Sequence, residues 1–149
     1  MGCILYFVGF DADVDRLKEL SPIAPYRTFR RGEAQSTRPN SRRAATSGVN
    51  LLVSDADFEE LERQLSDAMS FLQAHAPALK KMREVPGVER AGLDFGIAKR
   101  DVIVQIDTFP ADFLALLAEI NCGLVLTQFP VSKRSKNRRR YREAFRAAI

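Results

Sequence analysis

The stretch PGVERAGLDFGIAKRDVIVQIDTFPADFLALLAEINCGLVLTQFP, Pro86 to Pro130, constrains this chain more than any other, because its hydrophobic period changes twice. Leu93, Phe95 and Ile97 alternate with small or polar residues, and so do Val102, Val104 and Ile106. That pattern predicts two half-buried strands joined by a tight turn. Phe109-Pro110 then ends the extended run, since proline brings no N–H to a ladder and suits the first turn of a helix. Phe113, Leu114, Leu116, Leu117 and Ile120 mark one helical face. Asn121 and Gly123 stop that helix, and Leu124, Leu126 and Phe129 return the chain to a strand.

The preceding residues supply the rest of a sheet. Cys3 to Phe10 predicts a strand that is apolar on both faces, Cys3, Leu5 and Phe7 on one and Ile4, Tyr6 and Val8 on the other. Such a strand is central and covered twice, so something is expected to pack on its second side. Asp11-Ala12-Asp13 opens a short helix through Leu20, which Pro22 and Pro25 end. YRTFRR, Tyr26 to Arg31, is a second strand and Val49 to Val53 a third. Between them, residues 33–48 lack a hydrophobic period and form a mobile loop. Ser54 and Asp57 resemble a capping pair before the longest helix, with Phe58, Leu61, Leu65, Ala68, Met69 and Leu72 at helical steps and a break or kink at Pro77. The order βαββαββαβ gives an α+β fold: a mainly antiparallel sheet of about six strands, helices largely on one face, ferredoxin-like in arrangement. No period of about 20–50 residues repeats, which excludes a solenoid.

At 149 residues, 46% hydrophobic and 28% charged, the chain is an ordinary globular one. We expect a single domain over residues 1–132 and a basic tail or helix over 133–149. No run of about 18 apolar residues is present. The opening MGCILYFVGF lacks the basic and small-residue flanks of a signal peptide, and Tyr6 stands where a myristoylation pattern wants Ser or Thr. Cytoplasmic location is therefore the expectation, with Cys3 and Cys122 as buried thiols and not a disulfide. The net charge of +4 is unevenly placed. Between Lys133 and Ile149 eight basic residues stand against one glutamate, which puts +7 there and leaves −3 on the remainder.

PYRTFRRGE, a long helix after a polar loop, and LDFGI with DVIVQIDTFPADFLALLAEINCGLVLTQFP together resemble the small bacterial proteins grouped as domain of unknown function 4279. Phe29 stands where that family usually has Trp, and the basic tail has no counterpart in it. The resemblance covers most of residues 3–130 and implies a fold. It implies no activity.

Candidate chemistry is sparse. His75 has no second histidine or cysteine at ligand spacing, so neither a metal site nor a catalytic triad is expected, and no cofactor is implied. Arg27, Arg30 and Arg31 form an anion- or partner-binding candidate, because guanidinium groups grip carboxylate and phosphate bidentately. Asp94 and Asp107, on paired strands, would face one another on one side of the sheet, where like charges suit acid–base chemistry. Lys133, Arg134, Lys136, Arg138, Arg139, Arg140 and Arg142 are candidate nucleic-acid contacts. In the same tail Tyr141, Ala144, Phe145 and Ala148 recur at helical steps and suit docking on the domain. The leading expectation is a non-enzymatic binding or interaction domain with a protein partner or a second copy of itself. A nucleic-acid-associated protein, and a small hydrolase or transferase using Asp94 and Asp107, are the alternatives.

Overall fold

The computed structural model describes residues 2–130, so the tail contacts and the tail docking expected above lie outside the described residues. The elements follow the order βαββαβαβ: Cys3–Gly9 (β1), Val14–Leu20 (α1), Arg27–Phe29 (β2), Ser47–Ser54 (β3), Leu61–Arg83 (α2), Arg90–Lys99 (β4), Ala111–Glu119 (α3) and Gly123–Pro130 (β5). The strands form one sheet in the order β2-β3-β1-β4-β5, antiparallel except between β4 and β5. The molecule is thus a mixed α+β structure with a mostly antiparallel sheet of five strands and three helices among the described residues.

β1 sits at the centre, and its two faces differ. Cys3, Leu5 and Phe7 are fully buried and share a core with Val14 and Leu17 of α1, Ala68, Leu72, Leu79 and Met82 of α2, and Phe113 and Leu117 of α3. β3 contributes Val49 and Leu51 to this core, and β4 contributes Leu93, Phe95 and Ile97. The opposite face, with Ile4 and Tyr6 only half-buried, carries no helix among the described residues. Among the described residues the expected second cover over β1 is not supplied, and local packing meets that face. Tyr6 lies across Gly92, where a Cβ would run into the tyrosine hydroxyl.

Five strands stand where about six were expected. Val102, Val104 and Ile106 alternate as a strand should, yet residues 100–110 form a loop. The reason is edge occupancy. β4 pairs with β1 on one side and with β5 on the other, which leaves no edge to receive a hairpin partner. Lys99-Arg100-Asp101 also lacks the Asn-Gly type of turn that would reverse a strand tightly. The chain instead crosses over through α3 and lays β5 parallel to β4.

Two helix expectations are corrected as well. α2 runs unbroken through Pro77 for 23 residues, because buried Leu72 on one side of the proline and Leu79 and Met82 on the other hold both halves to the sheet. Pro77 itself is exposed, as is Gln73, whose carbonyl it cannot engage. The capping pair is not formed either. Ser54 Oγ donates to the Asp67 carboxylate at 2.6 Å, and α2 starts after Glu60 without a side-chain cap. The expected Asp cap of α1 is present: Asp13 accepts from the Arg16 N–H at 3.0 Å. Residues 32–44 close on themselves, with Gly32 N–H donating to Ala44 O, Ala44 N–H to Glu33 O and Gln35 N–H to Arg42 O.

Candidate interaction surface

The arginines of the anion candidate do not converge. Arg30 pairs with Asp15 at 2.8 Å and Arg31 with Asp11 at 3.1 Å, while the Arg31 guanidinium lies 3.9 Å from the centre of the Phe10 ring. Arg27 donates to Gln35 O at 3.1 Å instead. These contacts tie β2 to α1 and to the loop after β2. Each guanidinium is occupied by the chain's own groups.

Asp94 and Asp107 are also held apart in role. Asp94 projects from β4 on the helix-free face and accepts the Thr127 hydroxyl of β5 at 2.8 Å. Asp107 lies in the loop after β4, where Arg100 Nη2 reaches it at 2.6 Å and Gln105 Nε2 at 2.8 Å. The hairpin that would have put the two carboxylates opposite one another does not form.

Other chemical groups are structural. His75 is half-buried against Phe71, ring centres 4.7 Å apart. Among the described residues no group of three His, Cys, Asp or Glu is placed to hold a metal. Burial raises the Cys3 thiol far above its ordinary range and pushes Cys122 up to about 12, which favours the protonated thiol in both. Gln64 is fully buried and donates to Asp57 O and Gly96 O, both at 2.9 Å, bracing α2 against β4. A depression of about 240 Å³ lined by Arg16, Leu20, Lys81 and Glu84 is smaller than typical ligand pockets. Among the described residues no helix is long and apolar enough to cross a membrane.

The loop between β4 and α3 is different, because a polar clasp ties it to itself and to the end of β4. Arg100 N–H donates to Gln105 Oε1, Gln105 Nε2 to Asp107 and Ala98 O, and Arg100 Nη2 to Asp107 and Ile106 O, with Gln105 and Asp107 half-buried. The loop's apolar side chains face solvent, with Val102 56%, Ile103 104%, Val104 69% and Ile106 75% exposed. Sequence alternation marks Val102, Val104 and Ile106 but assigns them to a sheet, and it passes over Ile103. The clasp among Arg100, Gln105 and Asp107 has no sequence signature.

This loop stands at the end of the outer strand. It leaves β4 at Lys99, which is in register with Pro130 of β5. At the same corner Phe58, from the segment before α2, stacks on Phe129 with ring centres 4.5 Å apart. Leu126 and Phe129 of β5 are themselves 42% and 39% exposed. Exposed apolar residues grouped in this way, along one loop and one edge strand, are of the kind that mark interaction sites. Compared with known proteins, the chain matches no family model, no curated protein and no solved structure.

Proposed function

We propose that this protein is a cytoplasmic, non-enzymatic interaction domain that engages another protein through the corner built from Val102–Ile106 and the outer strand β5. The observation that carries this reading is the loop after β4, in which a polar clasp presents four aliphatic side chains to solvent. Aliphatic residues held outward by internal hydrogen bonds gain nothing for the fold itself, and hydrophobic contact with a partner is what they suit. The two free, buried thiols fit a reducing compartment.

As part of the same reading, β1, β2, β3 and β4 with α1 and α2 form a ferredoxin-like unit to which α3 and β5 are appended. The neighbour order β2-β3-β1-β4 and the βαββαβ sequence of elements support it. We also propose a relation to the domain of unknown function 4279 group, carried by PYRTFRRGE around β2 and by the residues from β4 to β5. The enzymatic alternative gains no support from the separate partners of Asp94 and Asp107. The nucleic-acid alternative rests on residues outside those described.

Photocrosslinking tests the proposal. A benzoylphenylalanine in place of Ile103 should form protein adducts in cells expressing the chain, whereas the same group in place of Lys18, on α1, should not. Equal adduct yields from the two positions, or none from Ile103, would sink it.

A further inference from the structure

Resting on that interaction reading, we propose that the partner is a second copy of this chain, joined edge to edge through β5 about a two-fold axis. The sheet has two outer strands, and they are protected unequally. β2 is three residues long and carries Arg27, with Arg30 and Arg31 directly after it. Short length and positive charge are the usual defences of a sheet edge. β5 is eight residues long, GLVLTQFP, and carries no charged side chain. Among the described residues it pairs on one side only, with β4.

Leu126 and Phe129 fall on opposite faces of β5, and both are partly exposed. A partner lying on one face would cover one of them; a partner on the edge reaches both. The occupant is a second copy because the strand is complementary to itself when reversed. An antiparallel register centred on Leu126 sets Phe129 of each copy opposite Gly123 of the other, and Val125 opposite Thr127. Space above Gly123 is open, for a Cβ placed there would meet only Ala91 O at 3.7 Å. The largest side chain of the strand thus faces the position that has none, an arrangement known to stabilise cross-strand glycines.

The same register carries Val102–Ile106, at the Pro130 end of one strand, over the Gly123 end of the other. The uncharged strands bring no like charges together. The exposed apolar residues of the two elements offer several hundred Å² per copy, approaching the roughly 800 Å² per partner of a stable interface.

Sedimentation equilibrium of the full 149-residue chain should give twice 16.7 kDa. Leu126→Lys sets two ammonium groups against each other on the axis and should weaken the dimer about 100-fold, the scale of losing a central anchor. Gly123→Val fills the slot for Phe129 and should also yield monomer, with the circular dichroism of the parent. Leu126→Cys should form an intermolecular disulfide under mild oxidation while the buried native thiols do not react. A chain that stays monomeric at about 100 μM, or a dimer indifferent to both Leu126→Lys and Gly123→Val, would overturn the pairing. Adducts from position 103 to a different protein, with the purified chain monomeric, would refute the two-fold pairing and leave the interaction reading standing.

Discussion

At Phe95 three elements meet ring against ring. Its centre lies 5.3 Å from Phe109 and 5.7 Å from Phe113, both near edge-on, and the residue is fully buried at the middle of β4. Phe95→Ala removes the ring common to both contacts and opens a cavity that rigid neighbours cannot fill, so urea unfolding should show a loss of about 3–5 kcal/mol. A loss under about 1 kcal/mol would mean that the cluster collapses freely around the gap. The buried thiols give a second prediction, in pH. An unfolded thiol ionises near pH 8.5, whereas burial holds Cys122 protonated up to about 12 and raises Cys3 further. Above about pH 8.5 the unfolded chain therefore releases protons that the folded one keeps, and stability falls as pH rises, by up to about 1.4 kcal/mol per pH unit for each thiol. Below that pH the thiols contribute no slope. Urea unfolding at pH 8 and pH 10, with Cys122→Ala as the reference, should show a shallower decline in the variant. Identical declines would show that the Cys122 thiol is not protected by the fold.

Among the elements, α2 makes a clear test of how packing overrides local preference. Pro77 removes one intrahelical hydrogen bond and crowds the preceding turn, yet α2 continues to Arg83. Since Pro77 is exposed, Pro77→Ala restores the bond without disturbing the core and should raise stability by about 1–3 kcal/mol. Unchanged or lower stability would show that the proline ring itself packs. The same contrast explains which parts of the fold were legible in the sequence. The strands of β1, β3 and β4, the Phe113, Leu117 and Ile120 part of the α3 face (Leu114 is exposed) and the Asp13 cap follow from periodicity and capping chemistry, which act over a few residues. Of the break or kink expected at Pro77, the break does not occur, because tertiary contacts on both sides of it outweigh a local penalty. Val102–Ile106 was misassigned for a non-local reason: whether an alternating run becomes a strand depends on a free edge, and β5 takes that edge from about 30 residues further along. The interaction corner was hidden by the same error. Its residues carry an ordinary strand pattern, and only the hydrogen bonds of Arg100, Gln105 and Asp107 turn them outward. The arginine cluster was visible in sequence, but the acidic partners Asp11 and Asp15 that occupy two of its members were not linked to it.

On the scale of the whole molecule, the described residues give the sheet one side covered by helices and one without them, and a short charged edge and a long uncharged one. In the monomeric Leu126→Lys background, where no partner covers them, replacing Val102, Ile103, Val104 and Ile106 together by Ser should leave unfolding free energy within about 0.5 kcal/mol, as expected of surface changes remote from the core. Solubility should rise. A marked loss of stability would assign those side chains to the fold and remove the basis of the interaction surface. The central place of β1 has a further consequence, for the speed at which the chain finds its structure. Cys3–Gly9 acquires its neighbours from Ser47–Ser54 and Arg90–Lys99, so its ladders close loops of about 40 and 80 residues. Chain entropy must be surrendered before either ladder repays it, which places refolding in milliseconds to seconds and not microseconds. Stopped-flow fluorescence of Tyr6, with Tyr26 and Tyr141 replaced by Phe so that it is the sole tyrosine, reports the step directly. During synthesis this apolar segment is made before both of its neighbouring strands and waits for each of them. It must remain exposed until β4 has left the ribosome, and a chaperone that shields extended hydrophobic segments would find its natural target there.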